Sequence, residues 1–137
     1  MDISKDEFCF CCGTRNERGL GLVIAYPEPG RAQTSLVVPE WFSGWKGVTH
    51  GGLLSMVLDE VMAHACMGRG GGAETAVTAE MTVRFLRPVP TGSRLRAEAR
   101  VTEARGRIIR TEARLLTDDG LAAAEAQARF VAAKRQP

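Results

Sequence analysis

The sequence predicts an α+β domain in which an antiparallel sheet wraps one long apolar helix. Three observations predict it. Residues 53–67, LLSMVLDEVMAHACM, contain no proline or glycine and repeat apolar residues at helical spacing. Four later segments alternate apolar and polar residues with period two, as half-buried strands do. Turn chemistry separates these segments. The chain has 137 residues, enough for one domain with one real core. No internal repeat or second domain is evident, so residues 1–137 are read as one unit.

Taken in order, residues 1–19 lack apolar periodicity and read as an N-terminal arm. GLGLVIAY (19–26) reads as a strand and YPEPG (26–30) as a turn. RAQTSLVVP (31–39) reads as a second strand ended by Pro39. Trp41, Phe42 and Trp45 crowd the next loop. The helix is expected over 51–67, with Thr49 as its cap and the glycines of GRGGGAE (68–74) as its end. Leu54, Val61 and Ala65 centre its sheet-facing stripe.

Four strands in a meander follow. In the first, Val77 to Phe85 alternate with Thr78, Glu80, Thr82 and Arg84. The others centre on 95–101, 109–115 and 124–130, and TDDG (117–120) is a hairpin signal. The last strand's apolar face is mostly alanine, so the helix can lie close to it. The expectation is a six-stranded antiparallel sheet with one face covered by the helix.

The net charge is +2 with basic residues dispersed, and aromatics are 6%. That argues against a nucleic-acid surface, which needs a basic stripe or stacking platform. No window reaches the ~18 apolar residues of a spanning helix. MDISKDEF carries no apolar leader. A cytoplasmic protein with reduced cysteines is expected.

The chemistry centres on the helix, which carries Asp59 and Glu60 in an apolar setting. Asp59 lies off the sheet-facing stripe among Gly52, Ser55, Ala63 and Cys66, residues small enough to leave room for a ligand or another backbone. Glu60 lies on the other flank, four residues before His64, and can pair with it. The THGG turn ahead of the helix places glycines where unbonded amides point outward at the positive end of the dipole. Such amides suit a developing oxyanion.

HGGLLSMVLDE resembles the signature of hotdog-fold acyl-CoA thioesterases, the group containing the phenylacetate-degradation and 4-hydroxybenzoyl-CoA thioesterases. CFCCGTRNERGLGL resembles their C-x-x-C-G-x-x-N-x-x-G-L stretch, and TAEMTVRFLRPVPTG their strand after the helix. The resemblance runs from about Cys9 to Phe130. It implies a hotdog fold with the helix as its centre, and hydrolysis of an acyl- or aryl-CoA thioester without a cofactor. By position it implies Asp59 as general base or nucleophile, the Gly51 amide as oxyanion contact with Gly52 a near alternative, His50 on the loop, and Thr78 orienting water. Gly52, Ser55, Glu60 and Arg87 are expected around the substrate. Arg84, Arg87, Arg105 and Arg107 are the cations available for CoA phosphates. The resemblance further implies a homodimer or homotetramer, with Asp59 from one subunit and the HGG loop from another. Gly44 departs from the many family members that carry Asn or Gln about six residues before the histidine.

Cys9 and Cys12 have C-x-x-C spacing, but no second knuckle is evident among Cys11, Cys66, His50 and His64. No βαβ pattern supports a redox pair. The expectation is therefore no metal, with Phe8, Cys9, Phe10 and Cys12 packing the arm over the barrel end. A non-catalytic acyl-CoA or aromatic-ligand binding protein, and a dehydratase or hydratase using Glu60 and His64, are the competing functions.

Overall fold

The computed structural model describes residues 6–69 and 75–133. Its main sheet contains β1 (Arg31–Val37), β4 (Ala76–Phe85), β5 (Arg94–Arg105), β6 (Ile108–Thr117) and β7 (Ala122–Ala132). The strand order is β1-β5-β6-β7-β4 and every pairing is antiparallel. A short ribbon of β2 (Ser43–Trp45) and β3 (Val48–Thr49) precedes α1 (Gly51–Met67). This is the hotdog architecture implied by the resemblance, with α1 packed against all five strands.

Two details differ from the sequence expectation. The main sheet has five strands, because residues 19–26 join it only through the bridge between Ala25 and Gln33. The start of that segment bonds the arm instead, Leu20 N–H to Phe10 O and Leu22 N–H to Cys11 O, both at 2.8 Å. The meander comprises β5, β6 and β7 only. β4 lies at the far edge beside β7, across the sheet from β1. Alternation identifies a strand but not its neighbour.

The core is the apolar side of α1 against the sheet. Val57, Leu58, Val61, Met62 and Ala65 are completely buried. Ala97, Ala124 and Ala126 are buried on the strands below, so small side chains let the helix axis approach the sheet. Phe130, Ile109 and Leu115 fill the remaining volume. On the outer face, directly opposed residues pair by charge: Arg100 with Glu112 at 2.5 Å and Arg114 with Glu98 at 2.6 Å. Exposed pairs of this kind contribute about 0–1 kcal/mol each and act more on register than on stability.

Candidate active site

α1 begins at a tight turn capped by His50, whose Nδ1 accepts from Gly52 N–H at 2.8 Å. Neutral His50 therefore carries its proton on Nε2. Thr49, the expected cap, is buried, and its hydroxyl has no partner among the described residues. A Cβ on Gly52 would lie 2.8 Å from His50 Nδ1, so this cap requires glycine there. The cap also consumes the Gly52 amide. Gly51 N–H has no acceptor among the described residues and stands at the positive end of the helix. Ser55 is turned onto the helix, with Oγ donating to Gly51 O at 2.9 Å.

Gly51 opens on a crevice of about 290 Å³ whose lining includes Thr49, Leu54, Phe85 and Arg87. Of the four arginine candidates, Arg87 is the one that lines it, and its guanidinium lies 3.8 Å from Asp119. Arg84 is engaged by Glu125 at 2.8 Å, and Arg107 Nε donates to Ala132 O. Trp41 and Trp45 are 79% and 81% exposed and do not line the crevice, so its aromatic wall is Phe85. Gly44 lies against His50: a Cβ there would sit 3.1 Å from His50 Cα.

Asp59 is half-buried on α1 and accepts from Thr78 Oγ1 at 2.7 Å. Burial pushes its carboxyl above the ordinary range, the Thr78 bond draws it back, and neighbouring Glu60 adds to the rise. Thr78 reaches Asp59 because β4 is bulged. The register of β4 on β7 slips between Thr78 and Glu80, leaving Ala79 extra. Thr78 then sits opposite buried Phe130, while Val77 turns outward and is 45% exposed. Strict alternation would put Val77 inside and Thr78 outside. Within one chain Asp59 and Gly51 do not meet: eight residues of helix separate them by about 12 Å.

Glu60 lies on the other flank of the helix, apart from Asp59. His64 Nε2 is 3.1 Å from its Oε1, the expected i,i+4 pair. Two thiols complete the group. Cys9 Sγ lies 3.7 Å from Glu60 Oε1, and Cys12 Sγ lies 3.5 Å from His64 Nε2. Tyr26 Oη holds His64 Nδ1 at 2.5 Å. Burial raises the Glu60 carboxyl, but bonds from His64 and Cys12 and the His64 charge outweigh it and leave it below the usual range. Burial, then Glu60, pushes the Cys12 thiol well up. Cys9 and Cys12 thus lie on the helix flank, while Phe10 packs on Phe42 with ring centroids 6.2 Å apart and Phe8 is exposed. Spacing arguments missed this cluster because Glu60 was not counted with the cysteines. Its signal is a C-x-x-C pair combined with an E-x-x-x-H pair on one helix face.

A family model described as the thioesterase superfamily matches residues 46–124, from the ribbon through α1 to the start of β7. The acyl-coenzyme A thioesterase THEM4 of Xenopus laevis is 28% identical over 124 residues, 86% of this chain and 54% of that protein. The chain therefore spans about half the length of this curated relative. A conserved protein of Pseudomonas aeruginosa has 30% identity and a TM-score of 0.75, with 83% of this chain and 90% of that one covered. The E. coli PaaI protein, from the phenylacetic acid degradation operon, has a TM-score of 0.77 at 24% identity, covering 84% and 81% of the two chains.

Proposed function

The chain belongs to the thioesterase superfamily, and from that premise we propose that it hydrolyses an acyl- or aryl-CoA thioester to the free acid and CoA. The observation that carries this reading is the Asp59–Thr78 pair: a half-buried carboxylate on an apolar helix, oriented by a hydroxyl that a β-bulge has turned inward. A carboxylate in that setting needs either a partner or a task, and Thr78 occupies only one of its oxygens. Asp59 takes a proton from water as the water oxygen bonds to the thioester carbonyl carbon. The carbonyl oxygen becomes an oxyanion and is received by the free Gly51 N–H. Collapse of the adduct breaks the carbon–sulfur bond, and the departing CoA thiolate takes the proton from Asp59, which restores the carboxylate.

Because about 12 Å of helix separates Asp59 from Gly51, the reading requires two chains. Each site takes Asp59 and Thr78 from one subunit and the Gly51 turn with His50 from another, in a homodimer or a homotetramer built from it. The β4 edge, with Val77 and Phe85 exposed, supports close approach of a second copy. Gly52 and Ser55 leave space beside the carbonyl, and Arg87 supplies the cation for a CoA phosphate. A cytoplasmic location goes with the reading, since all four cysteines are free thiols. No helix among the described residues is long and apolar enough to cross a membrane.

The test is release of free CoA thiol from short-chain, medium-chain and aryl acyl-CoAs. Asp59→Asn is expected to lower turnover about 10²–10⁴-fold, with Glu60→Gln retaining more. Loss with Glu60→Gln alone would move the catalytic acid to the other flank. One observation favours a second reading, a ligand-binding protein without turnover: Gly44 provides no amide side chain beside His50. Saturable binding of CoA esters with no thiol release from any of them would select it.

A further inference from the structure

The cluster on the second flank of α1 is not used by the reaction above, and its atoms are arranged for another purpose. Cys9 Sγ, Cys12 Sγ and a Glu60 carboxylate oxygen all lie within 4.8 Å of one another. His64 Nε2 stands beside this group, 3.1 Å from Glu60 Oε1 and 3.5 Å from Cys12 Sγ, without lying within 4.8 Å of all three. Ligand bonds of 2.0–2.3 Å in a tetrahedron place donor atoms about 3.3–3.8 Å apart. The spacings of 3.1, 3.5 and 3.7 Å seen here are close to that range.

Each ligand is also held from behind. The Cys9–Cys12 turn is closed by Gly13 N–H to Cys9 O at 2.8 Å. A Cβ on Gly13 would lie 2.3 Å from Glu7 O and 2.6 Å from Cys9 N, so only glycine allows this fold of the loop. Glu60 and His64 share one face of a rigid helix at i,i+4. His64 is only 2% exposed, and Tyr26 Oη fixes its far nitrogen, leaving Nε2 facing Cys12 Sγ and the Glu60 carboxylate. An oxygen on the second ring nitrogen is how ligating histidines are oriented. Among the described residues no lysine or arginine pairs with Glu60, whose side chain is only 15% exposed.

We propose that Cys9, Cys12 and Glu60 bind one zinc-class divalent cation, with His64 drawn in as the fourth ligand by a small shift of its ring toward Cys9. Two thiolates, an imidazole and one carboxylate suit zinc and do not suit calcium or magnesium. With His64 as the fourth protein ligand the site is closed, and its role is structural. It clamps the Cys9–Gly13 turn of the arm to the flank of α1. Cys11 and Leu22 also pack into the main core, so loss of the metal loosens the turn around Cys9–Gly13 and leaves the sheet and helix folded.

The experiment uses the full chain, reduced and free of any metal-binding tag. Elemental analysis is expected to find about one zinc per chain. Cobalt(II) loaded in its place is expected to show thiolate charge-transfer absorption and the visible bands of a tetrahedral ion. Cys12→Ser and Cys9→Ser should each weaken cobalt affinity at least 10-fold, and Tyr26→Phe about 10-fold. Cys66→Ala, at a buried thiol outside the cluster, should leave the spectrum unchanged. Chelation should speed tryptic cleavage at exposed Arg15 and Arg18 while far-ultraviolet circular dichroism holds. Failure of the wild-type chain to take up cobalt overturns the proposal, as does a cobalt spectrum that survives in the Cys9→Ser/Cys12→Ser double variant. The wild-type spectrum decides even if a variant does not fold, and no readout depends on thioester hydrolysis.

Discussion

Thr78 makes the strongest residue-scale claim. Its hydroxyl donates to Asp59 at 2.7 Å, so in the proposed reaction it acts through the carboxylate, as a positioning residue. Thr78→Val keeps the side-chain shape and removes the donor. The expected outcome is a fall in kcat of about 10-fold with KM little changed, and recovery in Thr78→Ser. Equal rates in wild type and Thr78→Val would remove the hydroxyl from the reaction. His50 and Gly52 illustrate the same scale. The sequence suggests Thr49 as the cap because threonine is a favoured capping type, but the His50 ring reaches the second amide of the helix first. Gly52→Ala puts a Cβ against that ring nitrogen, and thermal unfolding should show a loss of about 0.5–2 kcal/mol, the usual cost of losing a cap.

Among the elements, β4 and α1 carry the predictions. The extra residue at Ala79 changes which face residues 76–78 present. Deleting Ala79 should restore strict alternation, turn Thr78 away from Asp59 and lower thioester hydrolysis to the level of Thr78→Val or below. Retained activity would mean that the strand slips elsewhere to keep Thr78 inward. Leu58 is completely buried where α1 meets the sheet. Leu58→Ala should cost about 2–5 kcal/mol in denaturant unfolding, since neighbouring strands already paired on both sides cannot collapse into the void.

Assembly is the question for the molecule as a whole. Separate chains must contribute Asp59 and Gly51 if the proposed site is correct, because one helix holds them about 12 Å apart. Gly51→Pro removes the free amide at a position where proline is tolerated in a helix. Exposed Phe85, 3.3 Å from a Cβ there, has room to shift. Asp59→Asn and Gly51→Pro chains, each inactive alone, should regain roughly a quarter of wild-type turnover when unfolded and refolded together. That fraction follows from half of the dimers being mixed and one of their two sites being intact. No recovery in verified mixed dimers would place the whole site within one chain.

By itself the sequence determined the helix, the five strands of the main sheet and the chemistry-bearing residues, but not the β2–β3 ribbon. Helical spacing over 53–67 and period-two alternation after residue 76 are local properties, written wherever one face is buried and the other is wet. Asp59 stands out for the same local reason, an acid in an apolar run, and its proposed role is what the resemblance implies. Tertiary structure alone decided who meets whom. Alternation cannot say that β4 crosses to the edge beside β7, and one bulged residue is enough to reverse the faces of Val77 and Thr78. The cysteines are the clearest case. Their partners Glu60 and His64 lie about fifty residues away, so each pair is legible in the sequence but their meeting is not. Only the folding of the arm onto α1 brings two thiols to a carboxylate and an imidazole, because side-chain proximity depends on how elements pack rather than on their order in the chain.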